Sequence, residues 1–125
     1  MANSLSPSNP VVLVVEDEPL ILSDAAAMIQ DAGFDVIEAR SADEAIEILT
    51  ARSDIRVVFT DIEMPGSMDG LRLARVVRDK WPPVELIVTS GRHKLSEGDL
   101  PERGRYIGKP YTPREVTEAI RAFCG

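Results

Sequence analysis

Apolar and polar positions along the chain alternate between two periods, and the alternation outlines a fold. Val11 to Val15 is an unbroken run of valines and one leucine, the mark of a strand buried on both faces. Pro19 then stands where a first helical turn accepts proline, and Leu22, Ala25, Ile29 and Ala32 recur at helical spacing until Gly33. Residues 34–38 read as a second strand. Ser41 and Glu44 form a capping-box pattern, followed by Ala42, Ala45, Ile46 and Leu49 on one helical face. Residues 56–60 predict a third strand, and Gly70 to Lys80 a helix with Leu73, Val76 and Val77 as its apolar stripe. Pro82 and Pro83 break the chain before a fourth strand over residues 84–89. Tyr106 and Ile107 mark a short fifth strand. Thr112, Pro113 and Glu115 then cap a last helix whose buried face is Val116, Ala119, Ile120 and Phe123.

Strands alternating with helices imply parallel pairing through right-handed crossovers, with helices on both sheet faces. The predicted class is therefore α/β: a doubly wound, five-stranded parallel sheet in the flavodoxin-like order 2-1-3-4-5. Residues 91–105 should hold the fourth crossover helix. Gly98, Pro101 and Gly104 interrupt them and only Leu95 and Leu100 are large and apolar, so that helix is predicted short or irregular. Residues 1–10, rich in Ser, Asn and Pro, read as a disordered tail, and residues 11–125 as one domain.

Composition narrows the function classes. A length of 125 residues suits one core, and 44% hydrophobic with 28% charged residues is ordinary globular usage. Fourteen Lys and Arg against 21 Asp and Glu leave a net charge of −7, which argues against broad binding to DNA or anionic membranes. The single cysteine, Cys124, excludes an internal disulfide and fits a reducing, cytoplasmic setting. No apolar run is long enough to cross a bilayer.

The chemistry is expected where strand order reverses, at the carboxyl ends of the first and third strands. Glu16 and Asp17 follow the first strand and Asp61 the third. Three converging carboxylates repel one another unless a cation joins them, and hard oxygen donors suit Mg²⁺. The other side of the crevice receives Ser90, with Thr89 as the alternative hydroxyl, and Lys109 after the fifth strand. A hydroxyl and an ammonium facing a metal-bound carboxylate are the parts that stabilise a transferred phosphoryl group.

In this order and on these strand ends, the residues resemble the response-regulator receiver domains of two-component signalling. The resemblance runs from about Val11 to Phe123. It rests on Glu16-Asp17, on Asp61-Ile-Glu-Met-Pro with Met68-Asp69-Gly70 after it, on Ser90-Gly91, and on Tyr106-Ile-Gly-Lys109-Pro110-Tyr111. It implies that Asp61 accepts a phosphoryl group from a phosphohistidine on a histidine kinase or phosphotransfer protein. Asp17, Asp61 and the backbone carbonyl of Glu63 would hold Mg²⁺, with Glu16 acting through water. Lys109 would pair with a phosphoryl oxygen, aimed by a cis-prone Lys109–Pro110 bond, Ser90 would bind another, and Tyr106 would change rotamer. Partner specificity in the family lies on the first helix and nearby loops, here around residues 19–30.

The chain departs from the family pattern in two places. Gly66-Ser67 replaces one residue and lengthens the loop after Asp61, and the stretch from Ser90 to Lys109 is shorter than usual. With no DNA-binding or enzymatic domain after Phe123, the expected output is contact with a downstream target protein, homodimer formation being left open. Glu63 and Arg92 would flank the site as a gate for water. His93 and Cys124 read as incidental surface residues, Met28 and Met64 as packing, and Trp81 as cover for the end of the third helix. One alternative function is an aspartate-nucleophile phosphatase, for which Glu63 fits the second acid only loosely and no cap domain is evident. The other is an interaction module without phosphorylation, against which the complete residue set stands.

Overall fold

A computed structural model describes residues 9–62, 70–90 and 103–124. In chain order these form β1 (Val11–Val15), α1 (Pro19–Asp31), β2 (Asp35–Ala39), α2 (Ala42–Ala51), β3 (Ile55–Asp61), α3 (Gly70–Lys80), β4 (Glu85–Ser90), β5 (Gly104–Gly108) and α4 (Pro113–Cys124). The five strands make one parallel sheet in the order β2-β1-β3-β4-β5, the order predicted. The expectation of a short or irregular fourth crossover helix concerns residues 91–102, which lie outside those described. So do Glu63, Met64, Arg92, His93 and the side chain of Cys124.

Alternate residues of β1 feed two cores, one on each sheet face. Val11, Leu13 and Val15 pack with Ala45 and Leu49 of α2 and Leu73, Ala74 and Val77 of α3. Val12 and Val14 pack on the opposite face with Leu22 and Ile29 of α1 and Val116, Ala119 and Ile120 of α4. That period of two is the geometry of a pleated strand, and burial on both faces explains why β1 is apolar throughout. The β1–β3 register slips between Val11 and Val12, opposite Ile55 and Val57, and the extra residue, Arg56, is exposed.

Caps settle the helix ends. Ser41 Oγ accepts from Glu44 N at 3.1 Å while Glu44 Oε1 accepts from Arg40 N at 2.6 Å. Before α4 the box is reciprocal, with Thr112 N donating to Glu115 Oε1 at 2.9 Å and Glu115 N to Thr112 Oγ1 at 3.1 Å. At α1 the cap is Glu18, whose carboxylate accepts from Leu20 N and Ile21 N at 3.1 Å each. Trp81, expected to cover the end of the third helix, packs partly buried against the α2/α3 core, and its backbone N–H bonds Val77 O at 2.8 Å.

The strands run further than the sequence pattern suggested. β3 includes Asp61, β4 includes Ser90 and β5 spans Gly104–Gly108, so the polar residues at these ends are themselves sheet members. β2 starts at Asp35 rather than Phe34, which is buried with the α1/α4 core. Asp35 N donates to Pro10 O at 3.1 Å, and residues 1–8 of the expected tail lie outside those described.

Candidate functional site

The parallel register brings the site residues to one edge. Asp61 is the last residue of β3 and pairs with Thr89 of β4, while Ser90 pairs with Gly108 of β5. Lys109 follows directly, and Glu16 follows β1, tied to β2 by its N–H on Ala39 O at 3.1 Å. Backbone hydrogen bonds stitch these ends together: Ile62 N to Thr89 O and Lys109 N to Ser90 O, each 3.0 Å. The Lys109–Pro110 peptide is cis.

Asp61 and Glu16 are each only 6% exposed, and the Lys109 ammonium forms an ion pair with Asp61 Oδ2. Burial alone works against the Lys109 charge. The hydrogen bond to Asp61 and the attraction of Asp61 and Glu16 outweigh it, holding the Lys109 pKa above its usual value. Glu16 Oε2 accepts from Glu18 N at 3.1 Å. Its burial raises its pKa to about 7; the Glu18 N–H works against the rise, and Asp17 and Asp61 add to it. Charge is thus crowded at this edge, with one ammonium partly compensating it. Tyr111 closes the site beside Lys109, its ring edge-on to Phe59 at 5.8 Å, and burial pushes its phenol up.

The predicted set assembles as follows. Glu16, Asp61, Lys109, Thr89 and Ser90 converge on the carboxyl edge, and Asp17 stands exposed beside them. Thr89 and Ser90 are both buried. The Tyr106 ring is half-buried and its hydroxyl donates to Ser90 O at 3.2 Å. Among the described residues no three His, Cys, Asp or Glu side chains form a ready-made metal cluster. Mg²⁺ needs only one or two carboxylates and keeps several waters, so an exposed Asp17 beside the crowded Glu16 and Asp61 fits a hydrated hard cation.

Two features escaped sequence reading. Glu18 caps α1 immediately after the acidic pair; Pro19 at the first helical position was the available signal. Leu20 and Ile21, 74% and 42% exposed, are the large hydrophobic residues that α1 leaves uncovered. With Lys109, Pro110 and Tyr111, Ile21 lines an open groove of about 440 Å³ beside the site.

Comparison with known proteins agrees with this geometry. The family described as response regulator receiver domain matches residues 12–121. Aerobic respiration control protein ArcA of Escherichia coli K12 is 39% identical over 116 residues, covering 90% of this chain and 47% of ArcA. The chain therefore spans about half the length of that relative. A response regulator receiver protein from Sinorhizobium medicae superposes with a TM-score of 0.86 at 29% identity, covering 94% of this chain and 96% of the other. The response regulator TrrA from Thermotoga maritima, solved in complex with Mg²⁺-BeF, superposes at 0.77 with 27% identity, covering 90% and 97%. With its five-stranded sheet, its acidic edge and the Lys109–Asp61 pair, the chain belongs to the response-regulator receiver domains, the phosphoacceptor modules of two-component signalling.

Proposed function

We propose that Asp61 is the phosphoacceptor, taking its phosphoryl group from a phosphohistidine on a histidine kinase or phosphotransfer protein. The observation that carries this reading is the buried Asp61 carboxylate held by the Lys109 ammonium at the sheet's carboxyl edge. An Asp61 oxygen attacks phosphorus, the new O–P bond forms as the P–N bond breaks, and the electron pair returns to the imidazole, which takes up a proton. Lys109 shifts from the carboxylate to a phosphoryl oxygen and remains charged throughout, consistent with its raised pKa. Ser90 donates its hydroxyl to another oxygen, Thr89 being the alternative donor. Asp17 and Asp61 would hold Mg²⁺, with Glu16 acting through water and the backbone carbonyl of Glu63, outside the described residues, as the third expected ligand. When bound, the ion supplies neutralisation of the charge that carboxylates and phosphoryl oxygens bring together.

The reaction is one self-modification followed by hydrolysis rather than turnover of a substrate. New charge at Asp61 then biases the neighbouring loop and Tyr106, and the output is altered contact with a target protein. A surplus of seven negative charges disfavours direct binding to DNA.

The test is phosphorylation by a small phosphoryl donor, with intact mass as readout. Wild type gains one phosphoryl group only with Mg²⁺, and Asp61→Asn gains none. Equal labelling of Asp61→Asn overturns the assignment. Ser90→Ala and Thr89→Val separate the two hydroxyls, and the reading expects the larger loss of labelling rate from Ser90→Ala.

A further inference from the structure

Tyr106 and Gly108 are two residues apart on β5 and therefore share a face of the strand. The Tyr106 ring leans along the strand over Gly108, and its hydroxyl reaches the carbonyl of Ser90, Gly108's partner on β4. The same carbonyl oxygen accepts the backbone N–H of Lys109 at 3.0 Å. One acceptor thus joins the aromatic ring, the strand end that bears the hydroxyl, and the backbone of the lysine that grips Asp61.

A side chain at position 108 would crowd this arrangement. A Cβ at position 108 would stand 3.2 Å from the Tyr106 hydroxyl oxygen, inside ordinary contact, yet 3.6 and 3.7 Å from the nearest ring carbons, which is unstrained. The conflict is therefore with the hydroxyl alone. At 3.2 Å the Tyr106–Ser90 bond is already longer than the usual hydroxyl–carbonyl distance, so retreat by a few tenths of an ångström takes it out of bonding range. We infer that Gly108 is a positioning residue: its missing side chain seats the Tyr106 hydroxyl on the Ser90 carbonyl, and so couples the aromatic to the chemistry at Asp61. This inference rests on the phosphoacceptor reading for its consequence but not for its geometry.

The test is a double-mutant cycle of Gly108→Ala and Tyr106→Phe on the full chain. Fluorotyrosine labelling reports the ring by ¹⁹F NMR, with Tyr111→Phe to assign the two signals. In the free protein, Gly108→Ala moves the Tyr106 signal towards that of a solvent-exposed tyrosine. Loss of one hydrogen bond changes the affinity for Mg²⁺–beryllofluoride by about threefold or more in the Tyr106 background. In the Tyr106→Phe background the same substitution changes it by less than about twofold, because the clashing atom is gone. An unmoved Tyr106 signal, or equal affinity changes in both backgrounds, overturns the inference. Failure of wild type to bind beryllofluoride counts instead against the phosphoacceptor reading, and the free-protein ¹⁹F comparison still decides the role of Gly108.

Discussion

Gly70 begins α3 directly against the backbone of Asp61. A Cβ on Gly70 would overlap the Asp61 carbonyl oxygen and stand 2.7 Å from both the Asp61 carbonyl carbon and the Ile62 Cα. These are backbone atoms of a central strand, held by Ile62 N on Thr89 O, so they cannot yield as a flexible side-chain tip does. Gly70→Ala is expected to destabilise the fold by about 1–3 kcal/mol through overpacking, read in urea unfolding. Because the strain falls on Asp61, its labelling rate should fall even where the variant is fully folded. Wild-type stability with wild-type labelling would show that α3 can move off the strand freely.

The Asp61–Lys109 pair gives opposite expectations for two ligands. Lys109→Met removes a donor from the phosphoryl group and should slow labelling by about 100-fold, the usual consequence of losing one such group. The same change leaves the Asp61 carboxylate without its competing ammonium, so Mg²⁺ should bind more tightly, not less. Titration of Mg²⁺ by isothermal calorimetry, alongside the labelling assay, checks both. Weaker Mg²⁺ binding in Lys109→Met would mean that Lys109 organises the carboxylates rather than competing for them.

Much of this fold is visible in the sequence because its signals are local. The Ser41/Glu44 and Thr112/Glu115 boxes form between residues three apart, and both appear in the structure. The uninterrupted apolar run of β1 reflects its interior place between β2 and β3, with a core on each face. What pattern could not place depends on long-range pairing. β3 continues to Asp61 and β4 to Ser90 because each pairs with a neighbour there, and polar side chains conceal that continuation. Arg56 is exposed within a strand because of the register slip opposite β1. Arg78 and Arg103 both reach the Pro82 carbonyl, clamping the entries of β4 and β5 at the far end of the sheet, and the second of these contacts spans 21 residues, on which no spacing rule bears. At the site, residue types and strand ends indicated Glu16, Asp61 and Lys109, whereas the contact from Tyr106 to Ser90 required the fold.

Glu16 should make stability depend on pH when divalent metal is chelated. Its carboxyl pKa is about 7 in the fold against 4.5 as a free side chain, chiefly because it is buried. Between those values the folded state binds more protons than the unfolded one, so stability falls as pH rises. The contribution is intact below about pH 4.5 and fully lost above about pH 7. At about 1.4 kcal/mol per unit, the loss is on the order of 3 kcal/mol. Glu16→Gln removes this slope, so the variant should match wild type near pH 4 and exceed it at pH 8. Parallel urea-unfolding profiles for the two proteins across that window would remove Glu16 as the source.

The exposed pair Leu20 and Ile21 separates docking from chemistry. Both lie in the first turns of α1, beside the groove that Ile21 lines with Lys109, Pro110 and Tyr111. Apolar side chains left open next to a phosphoacceptor suit a partner helix that must bring a phosphohistidine to Asp61. Covering one such side chain is worth about 1.5–3 kcal/mol, so Leu20→Asp or Ile21→Asp should slow phosphotransfer from a phosphorylated partner by about tenfold or more. Labelling by a small phosphoryl donor needs no docking and should keep its wild-type rate, since neither side chain enters the Asp61–Lys109 pair. Parallel time courses with the two donors provide the measurement. Equal loss with both would place Leu20 and Ile21 in the chemistry, and loss with neither would move the docking surface elsewhere on the domain.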